Sequence, residues 1–104
     1  MNQPERRKCE RLRFDDQIHI RTASEHPARC IDVSLKGVSF LTSEWLPPGT
    51  VFTVILFSRN IAVGATSRFQ VPNDEQAFIV GAEFDESQPE LVDVVVSRTL
   101  NTIQ

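Results

Sequence analysis

The chain has 104 residues, 40% of them hydrophobic, and a formal net charge of -3. That length makes one domain, large enough to bury a core but too short for a sensor with its own output module, so any signal it receives is expected to pass to a partner. The charge is uneven: Arg6, Arg7, Lys8, Arg11 and Arg13 against Glu5 and Glu10 make residues 1–14 +3 and leave -6 for the rest, which excludes the wide basic face that long nucleic acid requires.

Residues 1–14 are polar and charged, with Leu12 and Phe14 as the first apolar anchors. They are predicted to form a flexible basic arm that orders on binding a ligand, with 15–104 as the folded domain. Over 17–22, Ile18 and Ile20 alternate with polar neighbours, and the same period recurs over 28–33 and 38–42, as half-buried antiparallel strands require. Leu46-Pro47-Pro48-Gly49-Thr50 is punctuation that no strand interior tolerates. The apolar, β-branched run 51–57 reads as a central strand. Residues 61–71 read as another, bent at Gly64 and closed by a turn over Pro72-Asn73-Asp74-Glu75, and 78–84 as the last. Ser87-Gln88-Pro89-Glu90 has the Ser-x-x-Glu form of a capping box and opens a helix over about 87–103. Its stripe is Val92, Val96, Leu100 and Ile103, with Val95 and Thr99 beside it. Short strands followed by one helix predict an all-β fold, a small antiparallel barrel of six to seven strands with a C-terminal helix, since closure removes edges that so small a sheet has no means to cover.

Several chemistries are poorly served. Cys9 and Cys30 make no disulfide framework, which fits a reduced, cytoplasmic protein. With His19 and His26 they lack the paired knuckle of a zinc site, so no metal is expected. No run approaches the roughly 20 apolar residues of a membrane span, and no secretory signal opens the chain. The histidines have no visible partners for nucleophilic or acid–base work, and no phosphate-cradling glycine loop leads into a helix, so no catalytic residues are assigned. Asp85 and Glu86 beside Glu83 read as a solvated strand end. Trp45 and the seven phenylalanines read as core, with any exposed ring free to stack bases, so a small barrel binding single-stranded nucleic acid is a weaker alternative.

Two short patterns carry the chemistry that remains: Arg7-x-x-x-Arg11, with Arg6 directly ahead, and Asp32-x-Ser34-x-x-Gly37. Guanidinium suits a guanine nucleotide, because its planar fork clamps a phosphate, bonds guanine O6 and N7 together, or stacks on a purine face. Asp32 and Ser34 are suited to accept from the N1 and N2 donors of the opposite guanine edge, which adenine lacks. Gly37 permits a positive φ and a close main-chain approach to a ligand. Singly, each pattern has a plainer reading, a solvated basic tail and a polar hairpin turn. In order on one short chain they point to a guanine nucleotide sensor.

The pair resembles the PilZ domain, the bacterial receptor module for cyclic di-GMP. The likeness extends to the Leu-Pro-Pro-Gly turn at 46–49 and to Val80-Gly81-Ala82-Glu83-Phe84, so it spans almost the whole chain. It implies a barrel with a helix, an arm carrying Arg7 and Arg11 that folds over the ligand, and Asp32 and Ser34 contacting a guanine edge, with Gly37 holding the turn open. Arg6 directly ahead of the pair accompanies, in the family, two mutually stacked ligand molecules per chain. The resemblance also implies a free-standing adaptor that passes its signal to an unidentified downstream protein. Family members without the ligand motifs act as protein adaptors that bind no nucleotide, and that is the second reading.

Overall fold

The structure, a computed structural model, describes residues 10–57, 59–74 and 76–103, with side chains through Arg98. Among the described residues, seven strands precede one helix: β1 (Leu12–Arg13), β2 (Gln17–Arg21), β3 (Glu25–Val33), β4 (Gly37–Thr42), β5 (Val51–Leu56), β6 (Ile61–Asp74), β7 (Ala77–Phe84) and α1 (Pro89–Ile103). All pairings are antiparallel, and β3-β2-β5-β6-β7-β4 closes on itself through β3–β4 into a six-stranded barrel. The all-β barrel with its C-terminal helix is therefore as expected.

Strand β1 lies outside that ring on the same edge of β3 as β2. Leu12 and Arg13 face Val33 and Asp32, and Gln17 to Arg21 face Arg29 to Glu25. The two are one strand line interrupted at 14–16, where Phe14 N–H donates to the Ile31 carbonyl at 3.0 Å and Cys30 N–H to that of Asp16 at 2.8 Å. The last residues of the basic segment thus belong to the sheet, and Phe14 is buried.

The period-2 pattern fills the interior. Ile18 and Ile20, Val38 and Phe40, Val54 and Leu56, Val63 and Ala65, and Val80, Ala82 and Phe84 form one core cluster. Leu46 plugs the end nearest the β4–β5 loop, held by Ser67 Oγ donating to its carbonyl at 2.7 Å and by its own N–H donating to Gln70 Oε1 at 2.9 Å. The other end is covered by α1, which buries Leu91 and Val95 in the core. This differs from the predicted stripe: Val96 is exposed, because the helix rests on its Leu91–Val95 line, one residue round from Val92–Val96.

Three local expectations are also corrected. The helix starts at Pro89, and Val92 N–H donates to the Gln88 carbonyl, making Gln88 the cap. Proline, lacking an N–H, favours the first helical position, and this shifts the start one residue from a Ser87 capping box. The bend in β6 falls not at Gly64, which pairs regularly with Thr53, but at register shifts between Ser67 and Phe69 and between Pro72 and Asp74. These absorb Pro72 and Asn73 into a strand of 14 residues. Trp45 and Phe69 are exposed rather than core; Trp45 sits edge-on to Phe78 at 5.7 Å.

Candidate functional site

The motif turn, 34–37, lies at the helix-covered end. Ser34 N–H donates to the Gly37 carbonyl at 2.8 Å, and Ser34 Oγ accepts from the N–H groups of Gly37 at 3.1 Å and Lys36 at 3.3 Å. The hydroxyl also lies 3.4 Å from the Gly37 carbonyl as donor, and Ser34 is 2% exposed. Its hydrogen-bonding capacity is spent on the turn. The carbonyls of Leu35 and Lys36 accept from Gln88 N–H at 2.8 Å and Phe84 N–H at 2.7 Å, clamping the turn to the helix start and the end of β7.

Gly37 is needed for a different reason from the one its sequence context indicated. Its φ is not positive; Gly49 alone among the described glycines has that. A Cβ at Gly37 would collide with the Ala82 carbonyl oxygen. The close approach it permits is therefore that of β7 to β4.

Asp32 faces outward because of an irregularity in β3. Cys30 pairs with Phe40 but Asp32 with Ser39, so one extra residue is accommodated between them. Strict alternation from buried Cys30 would point Asp32 into the barrel; the bulge turns it to the surface and returns Val33 to the core. There Arg11 meets it: Nη2 and Nε donate to Asp32 Oδ1 at 2.7 and 3.1 Å, and Nη2 also donates to Ser39 Oγ at 2.7 Å. The side chains of Arg11 and Asp32 are 50% and 23% exposed. Ser39 is a site residue the sequence reading missed; its signal was the hairpin register, which places it opposite Asp32.

Arg11, Asp32, Ser34 and Gly37 thus fall within one neighbourhood of the barrel surface. Arg6 and Arg7 lie outside the described residues, as does Cys9. Close by, Glu10, Leu12, Leu35, Val92, Asp93 and Val96 line a groove of about 290 Å³ where arm base, motif turn and helix meet. Cys30, behind Asp32, is buried, and burial followed by the charges of Asp32, Asp16 and Asp15 pushes its thiol up to about 12. It is an inert core group, not a nucleophile. Among the described residues no cluster of His, Cys, Asp or Glu is placed to hold a metal ion, and no helix is long and apolar enough to cross a membrane.

The family model of the PilZ domain matches residues 5–98. The chain belongs to the PilZ domain family. PilZ domains are binding modules rather than enzymes. Among solved structures, the chain is similar to MrkH of K. pneumonia in its apo state, with a TM-score of 0.64 at 12% identity, over 98% of this chain and 55% of that one. That likeness shows the PilZ fold, and the chain spans about half the length of MrkH. No curated protein matches it.

Proposed function

We propose that this chain is a cyclic di-GMP receptor that acts as a cytoplasmic adaptor. The observation that carries the reading is the Arg11–Asp32–Ser39 cluster, which sets a guanidinium, a carboxylate and a hydroxyl side by side on the barrel surface. Only Oδ1 of Asp32 is used by Arg11, leaving Oδ2 to accept from guanine N1 and N2. The Arg11–Asp32 pair is exposed, and such pairs are worth about 0.2–1 kcal/mol, whereas a charge-assisted hydrogen bond contributes about 1.5–3 kcal/mol. Ligand phosphate therefore competes for Arg11 at small cost. Arg7 supplies the second guanidinium of the arm and Arg6 a third, which favours two stacked ligands per chain. Ser34 and Gly37 serve by fixing the turn that presents Asp32.

Re-aiming Arg11 towards a ligand alters the wall that Glu10 and Leu12 give to the groove beside α1. An arm reordered in this way changes the surface offered to a downstream protein.

Isothermal titration with cyclic di-GMP, with GMP and cyclic di-AMP as controls, tests the reading. Guanine-selective binding at low micromolar or tighter affinity supports it, and a stoichiometry of two supports the role given to Arg6. Arg7→Ala and Arg11→Ala should each weaken binding about tenfold or more, and Asp32→Ala should narrow the preference over cyclic di-AMP. A parent protein that binds none of the three leaves the adaptor without nucleotide as the better reading.

A further inference from the structure

Asp32 is not the only side chain that a bulge turns outward. On β6, Ser67 is 1% exposed, and by alternation Phe69 would join it inside the barrel. The register shift between them sets Ser67 opposite Ala82 but Phe69 opposite Gly81, so the ring emerges on the outer face, 45% exposed. Following the registers across the sheet, Asp32 faces Ser39, Ser39 faces Gly81, and Gly81 faces Phe69. The two bulged strands thus bring their re-aimed side chains to opposite ends of one transverse row. Ser39 and Gly81 make its low middle.

The row is closed from both ends. Arg11 reaches Ser39 from one side. From the other, the Phe69 ring lies over Gly81, occupying the space a Cβ would take. Adjacent strands are about 4.8 Å apart, so guanidinium and ring occupy neighbouring positions. An aromatic ring covering a glycine is also a way to shield exposed backbone in a sheet. Leucine would keep apolar cover over Gly81, whereas only an aromatic ring offers a π-face to a base.

We propose that Phe69 is a stacking platform for one purine of the cyclic dinucleotide, extending the site from the motif turn across β4 and β7 to β6. This rests on the receptor reading above. Gly81 is then the residue that makes room for the ring against the sheet, and Arg11 meets the stacked base or its phosphate at the platform's edge.

Titration of Phe69→Leu with cyclic di-GMP and cyclic di-AMP, beside thermal melting, provides the test. Base–aromatic stacking is tolerant of base identity and is worth about 1–3 kcal/mol per base, so cyclic di-GMP affinity should fall about five- to hundredfold with little change in melting temperature. The ratio of the two affinities should stay at the parent value, unlike in Asp32→Ala. A Trp45→Phe/Phe69→Trp double variant reports directly: position 69 then carries the only tryptophan, and cyclic di-GMP should quench it. Phe69→Leu binding as tightly as the parent, or no quenching at saturation, would overturn the platform and leave the receptor reading intact. A parent that fails to bind overturns both.

Discussion

Two turns at the helix-covered end of the barrel share internal backbone bonds but differ in what supplements them. The motif turn between β3 and β4 holds itself: its serine hydroxyl accepts two of its own N–H groups, and its carbonyls are tied to β7 and α1. The turn between β5 and β6 has backbone bonds of its own, Arg59 N–H to the Leu56 carbonyl and Asn60 N–H to that of Phe57, both at 3.1 Å, but its strained residues lean on distant side chains. Phe57 and Arg59 have φ of 53° and 77°, a left-handed conformation that non-glycine residues rarely adopt. Phe57 is fixed by the Phe14 ring at 5.3 Å and the Arg98 guanidinium at 4.4 Å, and Arg59 by a forked ion pair with Glu25 at 2.5 and 2.9 Å. A turn that presents a site gains from a shape fixed within the turn, whereas one that also leans on distant side chains inherits part of their freedom. The second turn also links the arm base to the helix through Phe14, Phe57 and Arg98.

The contrast can be broken from the motif side first. Gly37→Ala forces β7 away from β4 and should cost the most, about 3 kcal/mol, read as a lower urea midpoint. Ser34→Ala leaves the Lys36 and Gly37 N–H groups without their acceptor in a buried turn and should cost about 1–3 kcal/mol, with cyclic di-GMP affinity reduced through displacement of Asp32. If Ser34→Ala keeps the parent's stability, the turn does not hold itself. The smallest effect belongs to the other turn and shows in pH. The Arg59 hydrogen bond holds the Glu25 carboxyl down at about 2, from an ordinary 4.5. A carboxylate with a depressed folded-state pKa contributes stability that is present above 4.5 and lost as pH falls towards 2. Glu25→Gln should therefore flatten the acid limb of a stability–pH curve over that window, lowering the melting temperature slightly at pH 7 and leaving it unchanged near pH 2.

Much of this was legible in the sequence because the interior follows period 2: the pairs Ile18 and Ile20, Val38 and Phe40, and Val54 and Leu56 occupy the core as alternation requires. Alternation was also the source of the misses. Bulges are not written in hydropathy, so nothing before the structure placed Asp32 and Phe69 on one outer row, whereas Ser39 was missed although the hairpin register sets it opposite Asp32. Ser34 was legible both as a motif residue and as a hydroxyl of a polar hairpin turn, but the sequence did not choose between them, since turn and ligand ask for the same residue type; the structure commits it to the turn. The helix was found from its change of period, but its start and its buried line each shifted by one residue. Pro89 fixed the first and the crossing over the barrel end the second.

The 14-residue β6 outruns its partner on one side. Strand β5 pairs with it only as far as Thr66, while β7 follows it to Asp74. Beyond Ser67, one edge of the β6–β7 hairpin projects without a neighbouring strand, the kind of edge on which foreign chains add and aggregates grow. Here it is blunted where it is most open. Pro72 offers no N–H, the register shift before Asp74 breaks the regular spacing of donors and acceptors, and Asp74 adds a charge. The projecting stretch is thereby a poor template for a further strand, so Phe69 and Val71 are exposed on a hairpin whose edge discourages pairing.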